Sequence, residues 1–215
     1  RDRFEAFADG FRGDTLGAAS LGGVGRFFER FQHGYPVEHV RSLEDLRKLD
    51  AATIAGVVIE PLIQGVNEMR PWPAGMLAEL RAWCDETGVH LILDEVMTGF
   101  GRTGKMFACQ HENVIPDFLC VAKGITGGFL PMAATLTTRK VYQAFLGAAE
   151  NAFYYGHSYT ANPLGCAAAM ASLDVFESQK TLETLAPRIA HLRAGLAELK
   201  QRNPFVHEVR QCGFV

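Results

Sequence analysis

"LILDEVMTGFGRTGKMFACQHENVIPDFLCVAKGITGGFLPMAATLTT", Leu91 to Thr138, contains three apolar segments of strand length. The first stops at Asp94-Glu95, the second meets Lys123, and the third, "MAATLTT", closes the stretch. Short continuous apolar runs bounded by glycine, proline and acids are the pattern of strands buried on both faces of a parallel sheet. Lys123 sits directly against one such run. An ammonium withdrawn from water is costly unless it is paired, neutralised or covalently bonded, although a lysine at a strand end can also snorkel to solvent.

Working outward, "IAGVVIE" (Ile54 to Glu60) is another apolar run that ends in an acid. Pro71 and Pro73 then introduce a helix, "AGMLAELRAWCDETG", with Met76, Leu77, Leu80, Trp83 and Cys84 on one face and Gly88 as its stop. After Arg139 the pattern turns helical. "KVYQAFLG" is short and "NPLGCAAAMASLDVFES" is long and alanine-rich. "TLETLAPRIAHLRAGLAELKQRN" spaces Leu185, Ile189, Leu192, Leu196 and Leu199 as a packing stripe, with Pro187 near its first turns. "PFVHEVRQCGFV" returns to strand-like alternation. The fold class is therefore α/β with a mostly parallel sheet. Residues 1–180 are expected to form a large domain, and residues 181–215 a linking helix and the start of a smaller α+β domain. The opening on Arg1 and the close on "CGFV" suggest an internal segment of a longer protein.

Composition narrows the functional classes. A net charge of −3 over 215 residues gives no basic face for nucleic acid or an anionic membrane. No apolar segment is long enough to span a bilayer. Five cysteines without C-x-x-C spacing read as reduced thiols of a cytoplasmic protein, and neither they nor the dispersed histidines form a metal-binding pattern. Small-molecule chemistry fits better.

Ligands of such sheets bind at the carboxyl ends of the strands. Glu60, Asp94 and Lys123 each stand at one, so three ionisable groups are expected to share a crevice. "GFGRTG" (Gly99 to Gly104) matches G-x-G-x-x-G, which raises a nicotinamide-dependent oxidoreductase as a remote alternative. The match lacks its context: no clean amphipathic helix follows the glycines, and Asp94 at the strand tip would repel a phosphate. A carboxylate and a lysine at neighbouring strand tips instead suit pyridoxal 5'-phosphate. The lysine bonds the aldehyde covalently and the aspartate pairs with the pyridinium nitrogen. The freed amine can then act as the proton carrier.

With "FRGDTLGAASLGG", "GVVIEPLIQGVNEMRPWP" and "FYYGHSYTANPLGCAAAMASL" beside the opening stretch, the chain resembles the class III, fold type I pyridoxal-phosphate aminotransferases over essentially its whole length. Within them it most resembles the adenosylmethionine- or lysine-dependent 8-amino-7-oxononanoate aminotransferases of biotin biosynthesis. The resemblance implies ping-pong transamination giving 7,8-diaminononanoate. Another ω-aminotransferase, of acetylornithine, ornithine or 4-aminobutyrate type, is the runner-up.

The resemblance also implies site roles. Lys123 and Asp94 would be catalytic and cofactor-binding, and Val96 would pack on one ring face. Phe11 would stack on the other and touch substrate, where relatives carry tyrosine. Arg12 stands where relatives carry histidine. Gly156 and Glu60 would line the substrate site. His157 and Ser158 would reach the cofactor phosphate of a neighbouring subunit, which implies a homodimer with shared sites. A Gly-Ser phosphate loop is expected before Arg1, and a carboxylate-binding arginine after Val215.

Overall fold

A computed structural model describes residues 1–24 and 34–215. Among these, six strands form one sheet: β1 (Arg3–Phe7), β2 (Val37–Val40), β3 (Ile54–Ile59), β4 (His90–Asp94), β5 (Phe118–Val121) and β6 (Ala134–Thr137). Their spatial order is β2-β1-β3-β4-β5-β6. The first five are parallel, and β6 is antiparallel to β5. Val57 pairs with Leu91 and Ile92 with Phe118, so the apolar runs of the sequence are the sheet's central strands.

The core shows why those runs are continuous. Val57, Ile59, Leu91 and Leu93 are buried together with Leu77, Leu80, Trp83 and Cys84 from the covering helix α3 (Met76–Thr87). The helix buries the five residues its periodicity predicts. Gly88 ends it at φ 67, a left-handed turn that glycine adopts without steric cost, and donates to the Cys84 carbonyl. Its other end is capped from a distance: the Glu112 carboxylate accepts from Gly75 N and Ala78 N, both at 2.9 Å. An anion at a helix N-terminus satisfies orphan donors and opposes the helix dipole.

Two shorter helices, α1 (Leu16–Leu21) and α2 (Leu43–Arg47), flank the first strands. Helices α4 (Arg139–Ala144), α5 (Pro163–Ser178) and α6 (Thr181–Arg202) follow the sheet. Asn162 caps α5, its Oδ1 accepting from Gly165 N at 2.7 Å, with Pro163 in the first turn. Helix α6 contains Pro187 and buries Leu185 of the predicted stripe, while Leu199 stays exposed.

One sequence expectation needs correction, and two strands went unforeseen. Residues 204–215 form no strand. The segment runs as turns and extended chain, with Phe214 N donating to the Arg102 carbonyl and the Gln211 amide to the Ile189 carbonyl. Alternation alone cannot make a strand where no neighbouring strand takes up its backbone groups. Conversely, β1 and β2 escape the apolar-run criterion, because Arg3, Glu5, Glu38 and His39 interrupt them.

Candidate active site

Parallel pairing of β3, β4 and β5 brings their carboxyl ends side by side. Glu60 follows β3, Asp94 ends β4 opposite Cys120, and Lys123 lies two residues beyond β5. Asp94 is acted on by both of the others, Glu60 raising its pKa and Lys123 lowering it, and all three follow or end strands at one edge of the sheet.

Of the two arrangements open to a lysine at a strand end, Lys123 takes the exposed one. The backbone leaves the sheet at Ala122 and turns into a 3-10 turn over Lys123–Thr126. Lys123 itself takes φ 45, a left-handed conformation uncommon for a residue with a side chain. Such local strain persists only where the surroundings impose it, and it clusters at functional sites. Gly127 and Gly128 follow at φ 61 and φ 83. Lys123 lines two cavities. One, of about 630 Å³, includes Val96, Met97, Gly99 and Phe100. The other, of about 920 Å³, includes Gly128, Tyr155, His157 and Asn162.

Asp94 is mostly enclosed, with 14% of its side chain exposed. Its Oδ1 accepts from Val96 N at 3.1 Å, and its Oδ2 lies 3.7 Å from Arg12 Nη1. Burial pushes its pKa up, and the Arg12 guanidinium and the Val96 N–H pull it back. Glu60 is a junction: Oε1 accepts from Phe11 N at 3.2 Å and Arg12 Nη1 at 2.7 Å, and Oε2 from Gly65 N at 2.6 Å. Glu60 thus ties the loop after β1 to the loop after β3. That positional role was not visible in the sequence, because its three donors come from two separate loops.

Of the remaining predicted residues, Phe11 and Val96 are half-buried next to Glu60 and Asp94 respectively. Gly156, His157 and Ser158 are exposed. His157 shares the larger cavity with Lys123 and accepts from Tyr159 N at 3.3 Å, while a Cβ at Gly156 would meet nothing within 4 Å.

The G-x-G-x-x-G segment has a different role from the one its motif suggests. It forms successive turns, and no helix opens from its glycines. Glu95, fully buried, organises it: its carboxylate accepts from Thr98 Oγ1 at 3.1 Å, Ala108 N at 2.6 Å and Cys109 N at 2.8 Å. Gly101, at φ 84, allows close approach of α6, where an added Cβ would stand 2.8 Å from Leu185 Cδ1. The glycines shape a wall; they do not cradle a pyrophosphate.

The model of one family, aminotransferase class-III, matches residues 1–215. The chain belongs to the class-III aminotransferases. Among curated members, it is 44% identical to an adenosylmethionine-8-amino-7-oxononanoate aminotransferase of Nitratidesulfovibrio vulgaris over 99% of this chain and 44% of that protein. It is 42% identical to one of Geobacter sulfurreducens over 100% of this chain and 53% of that protein. A crystal structure of the enzyme of that name from Methanocaldococcus jannaschii superposes with a TM-score of 0.92 at 39% identity, covering 100% of this chain and 52% of the other. An (S)-enantioselective omega-transaminase from Thermomicrobium roseum gives 0.87 at 29% identity, covering 98% and 52%. This class-III aminotransferase chain therefore spans about half the length of the relatives it matches.

The residues present fit the pyridoxal phosphate that the family implies. Asp94 is a mostly enclosed carboxylate whose oxygens meet, among the described residues, the Val96 N–H and the more distant Arg12 guanidinium, with Lys123 acting on it as a further cation. An exposed lysine follows the neighbouring strand and lines two cavities.

Proposed function

We propose that the protein carrying this chain is a pyridoxal-phosphate-dependent transaminase. In this reading it moves an amino group from adenosylmethionine or lysine to 8-amino-7-oxononanoate, giving 7,8-diaminononanoate for biotin synthesis. The observation that carries the reading is the placement of Asp94 and Lys123 at the ends of adjacent parallel strands. Bound cofactor supplies an electrophilic aldehyde and a ring that stores the electrons released at the substrate carbon.

Each residue then has a task. Asp94 would hold the ring-nitrogen proton; burial works against its charge, and Arg12 and Val96 N favour it. Lys123 would hold the cofactor through its aldehyde, and its free amine would be the group that moves a proton at the substrate carbon. The left-handed turn at Lys123 and the glycines after it leave that amine room to swing. Phe11 and Val96 are assigned to the two ring faces. Glu60 lines the substrate side and, through its three donors, holds the Phe11 loop in place. Gly156 offers an open edge to substrate.

The protein is further read as a cytoplasmic homodimer. No helix among the described residues is long and apolar enough to cross a membrane. Phe129, Phe153, Tyr154, Tyr155, Tyr159 and Leu164 are all highly exposed, Phe129 at 86%. An aromatic surface of this extent belongs under a partner. His157 and Ser158, on the same surface, are assigned to the phosphate of the opposing subunit's cofactor.

Amino donors and acceptors presented to the full-length protein test the substrate assignment. Amination of 8-amino-7-oxononanoate is expected with adenosylmethionine or lysine as donor. Activity confined to acetylornithine, ornithine or 4-aminobutyrate would move the protein to the other ω-aminotransferases. Loss of transamination in Asp94→Asn, with the fold retained, tests the role of the carboxylate.

A further inference from the structure

Arg12 is nearly sealed, with 3% of its side chain exposed, yet its Nε and Nη2 have no hydrogen-bond partner among the described residues. Nη1 does all the visible bonding: it donates to Glu60 Oε1 at 2.7 Å and to the Phe11 carbonyl at 2.9 Å, and lies 3.7 Å from Asp94 Oδ2. A buried guanidinium with orphaned donors is unfavourable, so the two carboxylates must account for its place. The position also depends on Gly10, where an added Cβ would stand 2.5 Å from Nη2 and 2.8 Å from Cζ.

We propose that Arg12 is a positioning residue for cofactor binding: its cation joins Glu60 to Asp94 and fixes the carboxylate that receives the cofactor's ring nitrogen. The inference rests on the pyridoxal-phosphate reading. Val96 N holds one oxygen of Asp94 and Arg12 faces the other, so the carboxylate plane is set from both sides before cofactor arrives. A guanidinium brings a rigid planar fork of donors to the two carboxylates, whereas an imidazole has only two ring nitrogens. Without Arg12, Glu60 and Asp94 become two enclosed anions with no cation joining them.

The test is a double-mutant cycle in the full-length protein, read by fluorescence titration of apoprotein with pyridoxal phosphate. Arg12→Gln is expected to weaken affinity about tenfold or more when Asp94 is present, and less than about twofold in an Asp94→Asn background. Gly10→Ala keeps the charge but displaces the guanidinium, and is expected to weaken affinity in the same Asp94-dependent way. Arg12→Lys, which keeps the charge, is expected to recover part of the loss. Equal weakening by Arg12→Gln in both backgrounds would make Arg12 a purely structural residue and overturn the proposal, as would unchanged binding in both Arg12→Gln and Gly10→Ala.

If the wild type binds no pyridoxal phosphate, the functional reading itself fails, and the same cycle on unfolding of the apoprotein decides the positioning claim. Coupling between Arg12 and Asp94 above about twofold in the unfolding equilibrium supports it, and smaller coupling overturns it.

Discussion

Replacing Glu95 by alanine perturbs the wall of the site without touching Lys123 or Asp94. The wild-type carboxylate, 0% exposed, accepts three hydrogen bonds, two from the peptide N–H groups that open the 3-10 turn Ala108–His111. Alanine leaves Ala108 N, Cys109 N and the Thr98 hydroxyl without that acceptor in a place water does not reach. Each stranded donor costs about 1–3 kcal/mol, and partial relaxation brings the sum to about 3–5 kcal/mol. That is a large share of the about 5–15 kcal/mol that holds a typical domain together. Burial raises the Glu95 pKa despite its donors, so the neutral amide of Glu95→Gln should recover part of the loss, leaving a cost of about 1–2 kcal/mol. Urea unfolding of the full-length apoprotein measures both. Trypsin adds a local readout, because Arg102 and Lys105 are exposed in the segment that Glu95 pins, and cleavage there should accelerate in the alanine variant first. A Glu95→Ala cost below about 1 kcal/mol with unchanged proteolysis would refute the view that this carboxylate organises the loop.

Three further outcomes follow from the same reasoning. Burial raises the Glu5 pKa from 4.5 to about 7, Arg3 only partly opposing it. Its contribution to stability is therefore full below pH 4.5 and lost as pH rises through 7. At about 1.4 kcal/mol per pH unit the ceiling is about 3 kcal/mol, reduced by solvent screening to about 1–2 kcal/mol. Glu5→Gln should accordingly match the wild type in acid and exceed it above pH 7 in thermal unfolding. Asp117 behaves oppositely: burial raises its pKa, but the Leu91 N–H and Arg81 outweigh it and the net shift is downward. Stability from Asp117 is present above pH 3.8 and lost as pH falls through its lower folded value. Asp117→Asn should thus destabilise by about 1–3 kcal/mol at neutral pH and lose its effect in strong acid, measured by the same scans. Gly101→Ala combines φ 84 with a 2.8 Å approach to Leu185 Cδ1. It should cost about 1–3 kcal/mol and loosen α6, seen as faster amide exchange around Leu185.

What could be read from residues alone follows from how locally each feature is encoded. Strands β3, β4 and β5 and helix α3 announce themselves because apolar continuity and helical periodicity lie within one segment. Asp94 and Lys123 could be paired in advance because parallel strands bring their carboxyl ends to one edge. Strands β1 and β2 were hidden by charged residues that their neighbours tolerate, and residues 204–215 were over-read because alternation carries no information about a partner strand. The left-handed turn at Lys123 is a feature that no composition rule foretells. Arg12 and Glu95 depend on contacts separated by 48 and 14 residues, so their roles exist only once the chain has folded.

The most direct test of the central claim is borohydride reduction of the full-length protein with pyridoxal phosphate, followed by peptide mass analysis. The account predicts a visible-edge absorbance band that reduction abolishes, with the mass of the reduced cofactor fixed on the peptide containing Lys123 and absent from Lys123→Ala. Label on a different lysine, or none on a protein that still transaminates, would contradict it.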